Sequence, residues 1–495
     1  MDVQSFQAPA PENSAEPKFI LPLVIALSLV AAVVLFCVPR SMADPDVWWH
    51  LRDAQIQLAT HSFLTHDLFS FTAAGSPWMN HEWLAELPFY AGFHLSGAGG
   101  LYLVTLLTIE VIFLGLFALI YLESNSIAAA STATVIGILI STVSFGPRTL
   151  LFGWVLLVAE LLVLAWSRRH EKIVWALPFL FAIWVNTHGS WLIGMVVFAL
   201  FIAANYFTIA RGCVENTAVS LQQLKRLILC WITSFAALFL NPYGWRLVFY
   251  PFDLAFRQKL NVANVEEWKS LDFHTPRGRI IFLCLAVLFL LQLVRSRKWN
   301  LFELALVAMG LYSCFTYSRF LFLAAILVMP ALARSLKSPS PAPRRGLSPI
   351  VAAALIFLIG CCIAGRLRTP DPSAPDSEAR FPVKALPYLS SFHPAGNVFN
   401  EFTWGGFLEW HEHQIPVFID SRVDIFEYNG TFKDYLDIIH LKDSMALLDK
   451  HAIRYVLFGR DTPLVYLLKT SQQWKVDYED QTTTLLERTD TRKAN

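Results

Sequence analysis

Apolar runs of membrane-spanning length recur through the first 365 residues of this chain, and a soluble fold has too little interior to hide them. They fall at about 19–39, 100–122, 127–145, 150–166, 173–185, 188–210, 224–240, 279–294, 300–316, 318–335 and 349–365. Crossing ~30 Å of hydrocarbon takes about 20 apolar residues. The expectation is an all-α polytopic membrane domain of about eleven transmembrane helices over residues 19–365. Composition agrees, at 55% hydrophobic, 16% charged and a mean hydropathy of +0.48. Residues 1–18 read as a polar cytoplasmic tail rather than a signal peptide, because the run after them is long enough to span. The net charge of +1 gives no reason to expect nucleic acid. The seven cysteines lie in or beside apolar runs and form no CxxC pair, so neither a zinc site nor a disulfide framework is expected.

Lysine and arginine orient the spans. With a cytoplasmic N-terminus, the basic connectors 167–172, 211–223, 295–299 and 336–348 share the cytoplasmic side. The opposite side then collects DPDVWWHL, HEW, GPR, NTHGS, NPYGW, EEW and YSR, together with everything after residue 365. Charge bias and unusual motifs therefore converge on one extracytoplasmic face of an inner (plasma) membrane protein.

The richest stretch on that face is the outer loop 40–99. Between Asp44 and Glu86 it holds the acids Asp44, Asp46, Asp67, Glu82 and Glu86, among others, and four tryptophans, Trp48, Trp49, Trp78 and Trp83. It also holds His50, His61, His66 and His81. Interfacial tryptophans alone would suit an amphipathic helix at headgroup level. The DPD and HEW clusters ask for more, and suggest a site for a polar substrate carried on a lipid. Asp44 and Asp46 flank Pro45. Such a pair can share a divalent cation, or one acid can take a proton; the plainer reading is a helix stop and cap. His81 and Glu82 can supply a second acid or metal ligands, or simply favour a helix N-terminus. If the segment is helical, His50 shares a face with Asp46. The stretch Trp83–Leu95 is too short to span and reads as an interfacial helix.

Arg148, His188 and Arg319 sit at the outer ends of three spans. Each alone is explained as a snorkelling or interhelical polar residue; together they suit a phosphate, because guanidinium grips two oxygens at once. Glu266, in the outer loop 241–278, can offer a further acid to an acceptor or serve structure only. Residues 366–380 read as a Pro- and Asp-rich linker. Residues 381–495 then alternate strands and helices as a small α/β domain. In it PVFIDSR is expected as a strand, with Asp420, Arg422 and Asp424 at its end, as a ligand site or a salt-bridged loop.

These motifs resemble the GT-C class of membrane glycosyltransferases, in a bacterial branch near the lipopolysaccharide-core and oligosaccharyl- or mannosyltransferase-like enzymes. The resemblance runs through WWHL, the Asp67–Ser70 segment, HEWL, HG, NPYG, EW and WGG–FIDSR in that order. It implies a polyprenyl-phosphate sugar as donor, a glycan, lipid or protein acceptor, membrane lipid around the site, and Mg²⁺ or Mn²⁺. On that pattern Asp44 or Asp46 is the catalytic loop acid; Asp44 is expected to take the acceptor's proton, and Asp46, helped by His81 or Glu82, to hold the metal. Arg148, His188, Arg319 and His50 hold the donor phosphate. Trp48, Trp49 and Trp78 stack on sugar, with Glu266 beside them. The proline between the two acids and the WWH run after them depart from the usual pattern. The rival is a non-catalytic transporter, flippase or assembly factor for lipid-linked glycans. Transporters place ionisable groups near the midplane, often in repeated halves, whereas here the acids cluster at one surface and no repeat is visible.

Overall fold

A computed structural model describes residues 17–40, 44–264, 268–295, 297–336, 348–368 and 380–489. Glu266 and most of the 366–380 linker lie outside the described residues. The membrane part begins with α1 (Pro17–Cys37), α2 (Asp46–Thr60), α3 (Trp83–Ser124), α4 (Ile127–Ser141) and α5 (Leu150–Ser167). It continues through α6 (Leu177–Val185), α7 (Trp191–Tyr206), a two-stranded hairpin of β1 (Ile209–Arg211) and β2 (Val214–Asn216), and α8 (Leu221–Ala237). Then come α9 (Trp245–Arg257), α10 (Lys259–Asn264), α11 (Pro276–Arg295), α12 (Leu301–Thr316), α13 (Leu321–Leu336) and α14 (Pro349–Arg368).

Among the described residues six helices are long and apolar enough to cross a membrane, and three shorter apolar ones stand beside them. The chain is a multi-pass membrane protein. Several expected spans are shorter than a bilayer. At 1.5 Å per residue the nine residues of α6 cover only about 14 Å, and a 3₁₀ helix over Glu171–Ala176 runs directly into them. Phe282, Leu283, Phe289 and Leu290 of α11 are all more than half exposed, which suits a surface facing lipid rather than water.

The 42-residue α3 is two helices. Ser96 and Gly97 leave helical geometry, and the chain folds back on itself there. A Cβ at Gly100 would lie 1.8 Å from the Gly92 carbonyl oxygen, so only glycine lets the two arms touch. The interfacial helix expected at Trp83–Leu95 is thus a separate arm lying against the first turns of its own span.

The C-terminal domain is built on a four-stranded sheet in the order β3-β4-β6-β5. It comprises β3 (Asn397–Asn400), β4 (Ile453–Gly459), β5 (Trp474–Glu479) and β6 (Thr483–Arg488). β3 and β4 run parallel, while β4–β6 and β5–β6 are antiparallel. PVFIDSR is not a strand of this sheet. The Asn400 side chain takes over its backbone, accepting from the Phe418 and Ile419 N–H groups and donating to the Ile419 carbonyl. Val417 instead pairs with the outer loop, exchanging backbone hydrogen bonds with Phe69 and Phe71.

That exchange is part of a wider docking. One apolar core joins Val47, Trp48, Phe89 and Leu101 to Phe381, Trp404 and Phe407. Another joins Trp49, Leu64 and Trp78 to Phe399, Phe418 and Phe426. Each large side chain buried this way contributes about 1.5–3 kcal/mol, against roughly 0–1 for an exposed ion pair. Packing, not surface charge, therefore holds the domain on α2. The WGG turn allows it: a Cβ at Gly406 would press on the Trp49 N and Pro45 O atoms at 3.1 and 3.2 Å.

Candidate functional site

The DPD turn leads into α2 with Asp44 and Asp46 differently partnered. Arg148, just before α5, donates its Nε–H to Asp44 Oδ2 at 2.5 Å, across 104 residues of sequence. The Asp46 backbone N–H donates to Asp44 Oδ1. Asp44 is thereby fixed as the partner of a cation. Asp46 has no such cation. Burial, and then the Asp44 carboxylate, push its pKa up to about 6, against weaker help from His50, Ser421 and Arg148. Ser421 of the C-terminal domain stands close enough to the Asp46 carboxylate to lower its pKa, and its hydroxyl accepts the indole N–H of Trp49 at 3.1 Å. The segment that failed to become a strand thus delivers a hydroxyl to the loop acid.

A second cluster surrounds Glu82. The Nε2 atoms of His188, His50 and His81 lie 3.2, 3.5 and 3.5 Å from its oxygens. His188 Nδ1 accepts the Ser190 backbone N–H, so the ring proton is on Nε2 and aims at Glu82. His50 Nδ1 is hydrogen-bonded to Glu86 Oε1 at 2.8 Å, and Asn80 donates to the other Glu86 oxygen. Burial would raise the Glu82 pKa, but the surrounding imidazoles, His81 first, hold it below the ordinary carboxylate range. Burial lowers His50. Burial also opposes the charge on His81, yet the Glu82 carboxylate overrides it and the net shift is upward. His81 is therefore the most readily protonated imidazole of the set. Its ring lies on Tyr250 of α9, with centroids 4.4 Å apart, and Tyr250 donates to Asp424. The scaffold is stitched by Asn186, which accepts from the Trp83 indole and donates to the Leu240 carbonyl. The HEW, NTHGS and NPYGW motifs meet there.

Arg319 lays its guanidinium 4.3 Å from the Trp268 ring centroid and is close enough to His188 for its charge to bear on that imidazole. Arg148, His188 and Arg319 thus stand beside the two acidic clusters. His50 differs: it is 3% exposed, closed in by Glu82, Glu86 and the face of Trp49, which makes it a positioning residue rather than a phosphate ligand. The three tryptophans are also buried. Trp48 is ringed by Phe93, Phe381, Phe407 and His411. Trp49 lies on His50 and against Trp78, and Trp78 lies under Arg422. Their faces are taken by protein, so they pack the site instead of offering a surface to sugar.

Among the described residues no group of three or more His, Cys, Asp or Glu converges to hold a metal ion. Asp46, His81 and Glu82 do not form one donor set. Asp44 already carries the Arg148 guanidinium and Glu82 already faces three imidazoles, so the donors that an Mg²⁺ or Mn²⁺ would need are spent on protein cations and N–H groups. Ser421, Glu86, Asn80 and Tyr250 are additions from the structure. Ser421 and Glu86 sit inside motifs visible in the sequence; Tyr250 carries no sequence signal.

No protein-family model matches the sequence, and comparison with curated proteins finds no relative. Solved structures do match. The Archaeoglobus fulgidus oligosaccharyltransferase tethered with an acceptor peptide aligns at a TM-score of 0.56 and 12% identity, over 90% of this chain and 69% of that one. ArnT from Cupriavidus metallidurans bound to undecaprenyl phosphate aligns at 0.52 and 13%, over 97% and 99%. The arabinofuranosyltransferase AftD from Mycobacteria aligns at 0.51 and 13%, over 94% of this chain and 40% of that one. At these identities the likeness is one of architecture. The chain has the fold of the GT-C polytopic membrane glycosyltransferases.

Proposed function

We propose that this protein is a membrane glycosyltransferase that moves a sugar from a polyprenyl-phosphate donor to an acceptor hydroxyl on the extracytoplasmic face. The observation that carries the reading is the unequal pair at the DPD turn, one acid held by Arg148 and the other half-buried with a pKa of about 6. A general base works best when its pKa lies near the working pH. Asp46 fills that role, and Asp44 with Arg148 holds it in place. In the reaction the acceptor oxygen attacks the anomeric carbon and its proton passes to Asp46. The bond from that carbon to the phosphate oxygen breaks, and the electron pair leaves with the polyprenyl phosphate. Arg148 and Arg319 receive the charge that collects on the phosphate, as cationic groups aimed at a developing anion do, while His188 keeps its N–H on Glu82. The match to ArnT bound to undecaprenyl phosphate supports a lipid-phosphate donor. The basic connectors on the opposite side support the extracytoplasmic placement.

The test uses the full chain in lipid nanodiscs with radiolabelled polyprenyl-phosphate sugars. Wild type should release or transfer the sugar, with kcat/KM falling as pH drops below about 6 and Asp46 takes up a proton. Loss of base assistance is worth about 10²–10⁴ in rate, so Asp46→Asn should lose at least a hundredfold. Lipid binding without turnover in any variant would overturn the proposal in favour of the transporter or assembly reading.

A further inference from the structure

We propose that the acceptor is a neutral oligosaccharide, held in the cleft where the C-terminal sheet meets the Asp44–Asp46 turn. The word acceptor rests on the glycosyltransferase reading; the binding itself does not. The cleft has a volume of about 470 Å³ and lies where the chain leaves the carboxyl ends of β3 and β4. Those two strands are the parallel pair of the sheet, and open sheets bind ligands beyond the carboxyl ends of their parallel strands, where the following loops diverge. The volume falls within the range of small-molecule sites, about 300–1,000 Å³, and leaves room for a short oligosaccharide.

The lining selects the ligand. Glu401, just after β3, and Asp461, just after β4, bring two carboxylates. Arg380 and Arg460 bring two guanidiniums. The charges cancel, so neither a phosphate nor a simple cation gains from entering. Thr403 and Thr462 donate their hydroxyl protons to Glu401 and the Gly459 carbonyl, and Arg460 pairs with Glu479 and Asp461; their hydroxyl oxygens, the carboxylates and the further guanidinium N–H groups offer acceptors and donors side by side, which is what vicinal sugar hydroxyls require. An extended peptide is disfavoured, because peptides add to the edge of a sheet. Here the edge strands are β3 and β5, while the cleft opens at strand ends. Pro45 forms part of the wall. A sugar seated there is therefore one residue from both Asp44 and Asp46.

The experiment measures binding by saturation-transfer NMR on the full chain in nanodiscs. The probes are maltotriose, cellotriose and chitotriose, with inorganic phosphate and a neutral Ser/Thr-rich peptide as competitors. At least one trisaccharide should saturate wild type. The double variant Arg460→Ala, Asp461→Ala alters two exposed side chains and should raise that Kd about tenfold or more, as expected for lost hydrogen bonds to charged groups. The proposal is overturned if no trisaccharide saturates wild type at millimolar concentration, if the double variant binds unchanged, or if phosphate or peptide displaces the sugar. Sugar binding in the cleft with no transfer from any lipid donor would overturn the glycosyltransferase reading alone.

Discussion

Replacing Arg422 with methionine should loosen the C-terminal domain from the outer loop without unfolding the membrane helices. Arg422 is buried, its side chain 1% exposed. It donates from Nη2 to Asp67 Oδ1 at 2.8 Å and Asp420 Oδ2 at 2.6 Å, and from Nε to Asp420 Oδ1 at 2.9 Å. Glu409 stands 3.7 Å away, and the rings of Trp78 and Phe69 flank the guanidinium at 4.8 and 4.9 Å. Methionine keeps most of the packing against those rings and removes the charge, leaving Asp67 and Asp420 buried without their cation. Breaking a buried pair from one side costs about 3–5 kcal/mol. At tenfold per 1.4 kcal/mol, the domain should open on the order of 10²–10³ times more often. Hydrogen exchange reads this directly. The Phe71 N–H to Val417 carbonyl and Val417 N–H to Phe69 carbonyl bonds span the contact, and their amides should exchange faster by that factor while amides in α13 do not change. Arg422→Lys keeps the charge as a point rather than a fork and should fall between. Acceleration below tenfold at Phe71 and Val417 in Arg422→Met would refute the view that this guanidinium clamps the domain.

Two further outcomes follow from the same interface. Ser421→Ala removes a hydroxyl that holds the Asp46 pKa down, so the acid limb of the rate profile should move to higher pH. Activity at pH 7 should drop and recover at pH 8–9; an unmoved limb would count against Asp46 as base. Asp53 is fully buried on α2 with both carboxylate oxygens unpartnered, and burial, then Glu86, raise its pKa well above 3.8. A carboxyl raised in the folded state stabilises below its unfolded pKa, and that contribution is lost as pH rises towards the folded value. Docking of the domain should therefore weaken as pH rises above about 4. Asp53→Asn should flatten the slope, read as exchange at Val417 at pH 5 and 8.5; an identical slope in the variant would disprove the assignment.

Much of the candidate site was legible as motifs and little of it as partnerships. DPD, HEW, NTHGS, YSR and FIDSR are rare residue types at the ends of apolar runs, and an ionisable group at membrane depth needs a reason to be there. What those groups touch was not legible. The same indoles that looked like sugar platforms pack against phenylalanines, histidines and each other, because burial of large aromatic area outweighs exposure wherever a second domain can cover it. PVFIDSR has the composition of a strand, yet one asparagine side chain supplies its backbone hydrogen bonds. Propensity reports a preference for extended backbone, not which neighbour will satisfy it.

The sequence by itself determined the membrane architecture and the alternating pattern of the C-terminal domain. Both are local: backbone polar groups in hydrocarbon must pair within a helix, so length and apolarity of a run suffice to mark a span. Only the tertiary structure decided that Asp44 belongs to Arg148, 104 residues away, and Asp67 to Arg422, 355 residues away. It likewise decided that Glu82 collects His50 and His188 from two other segments beside its neighbour His81, and that among the described residues Asp46 stays without a cation of its own. Periodicity states which face of an element is buried. Which charge meets which, and hence which acid is free to take a proton, depends on how distant elements pack.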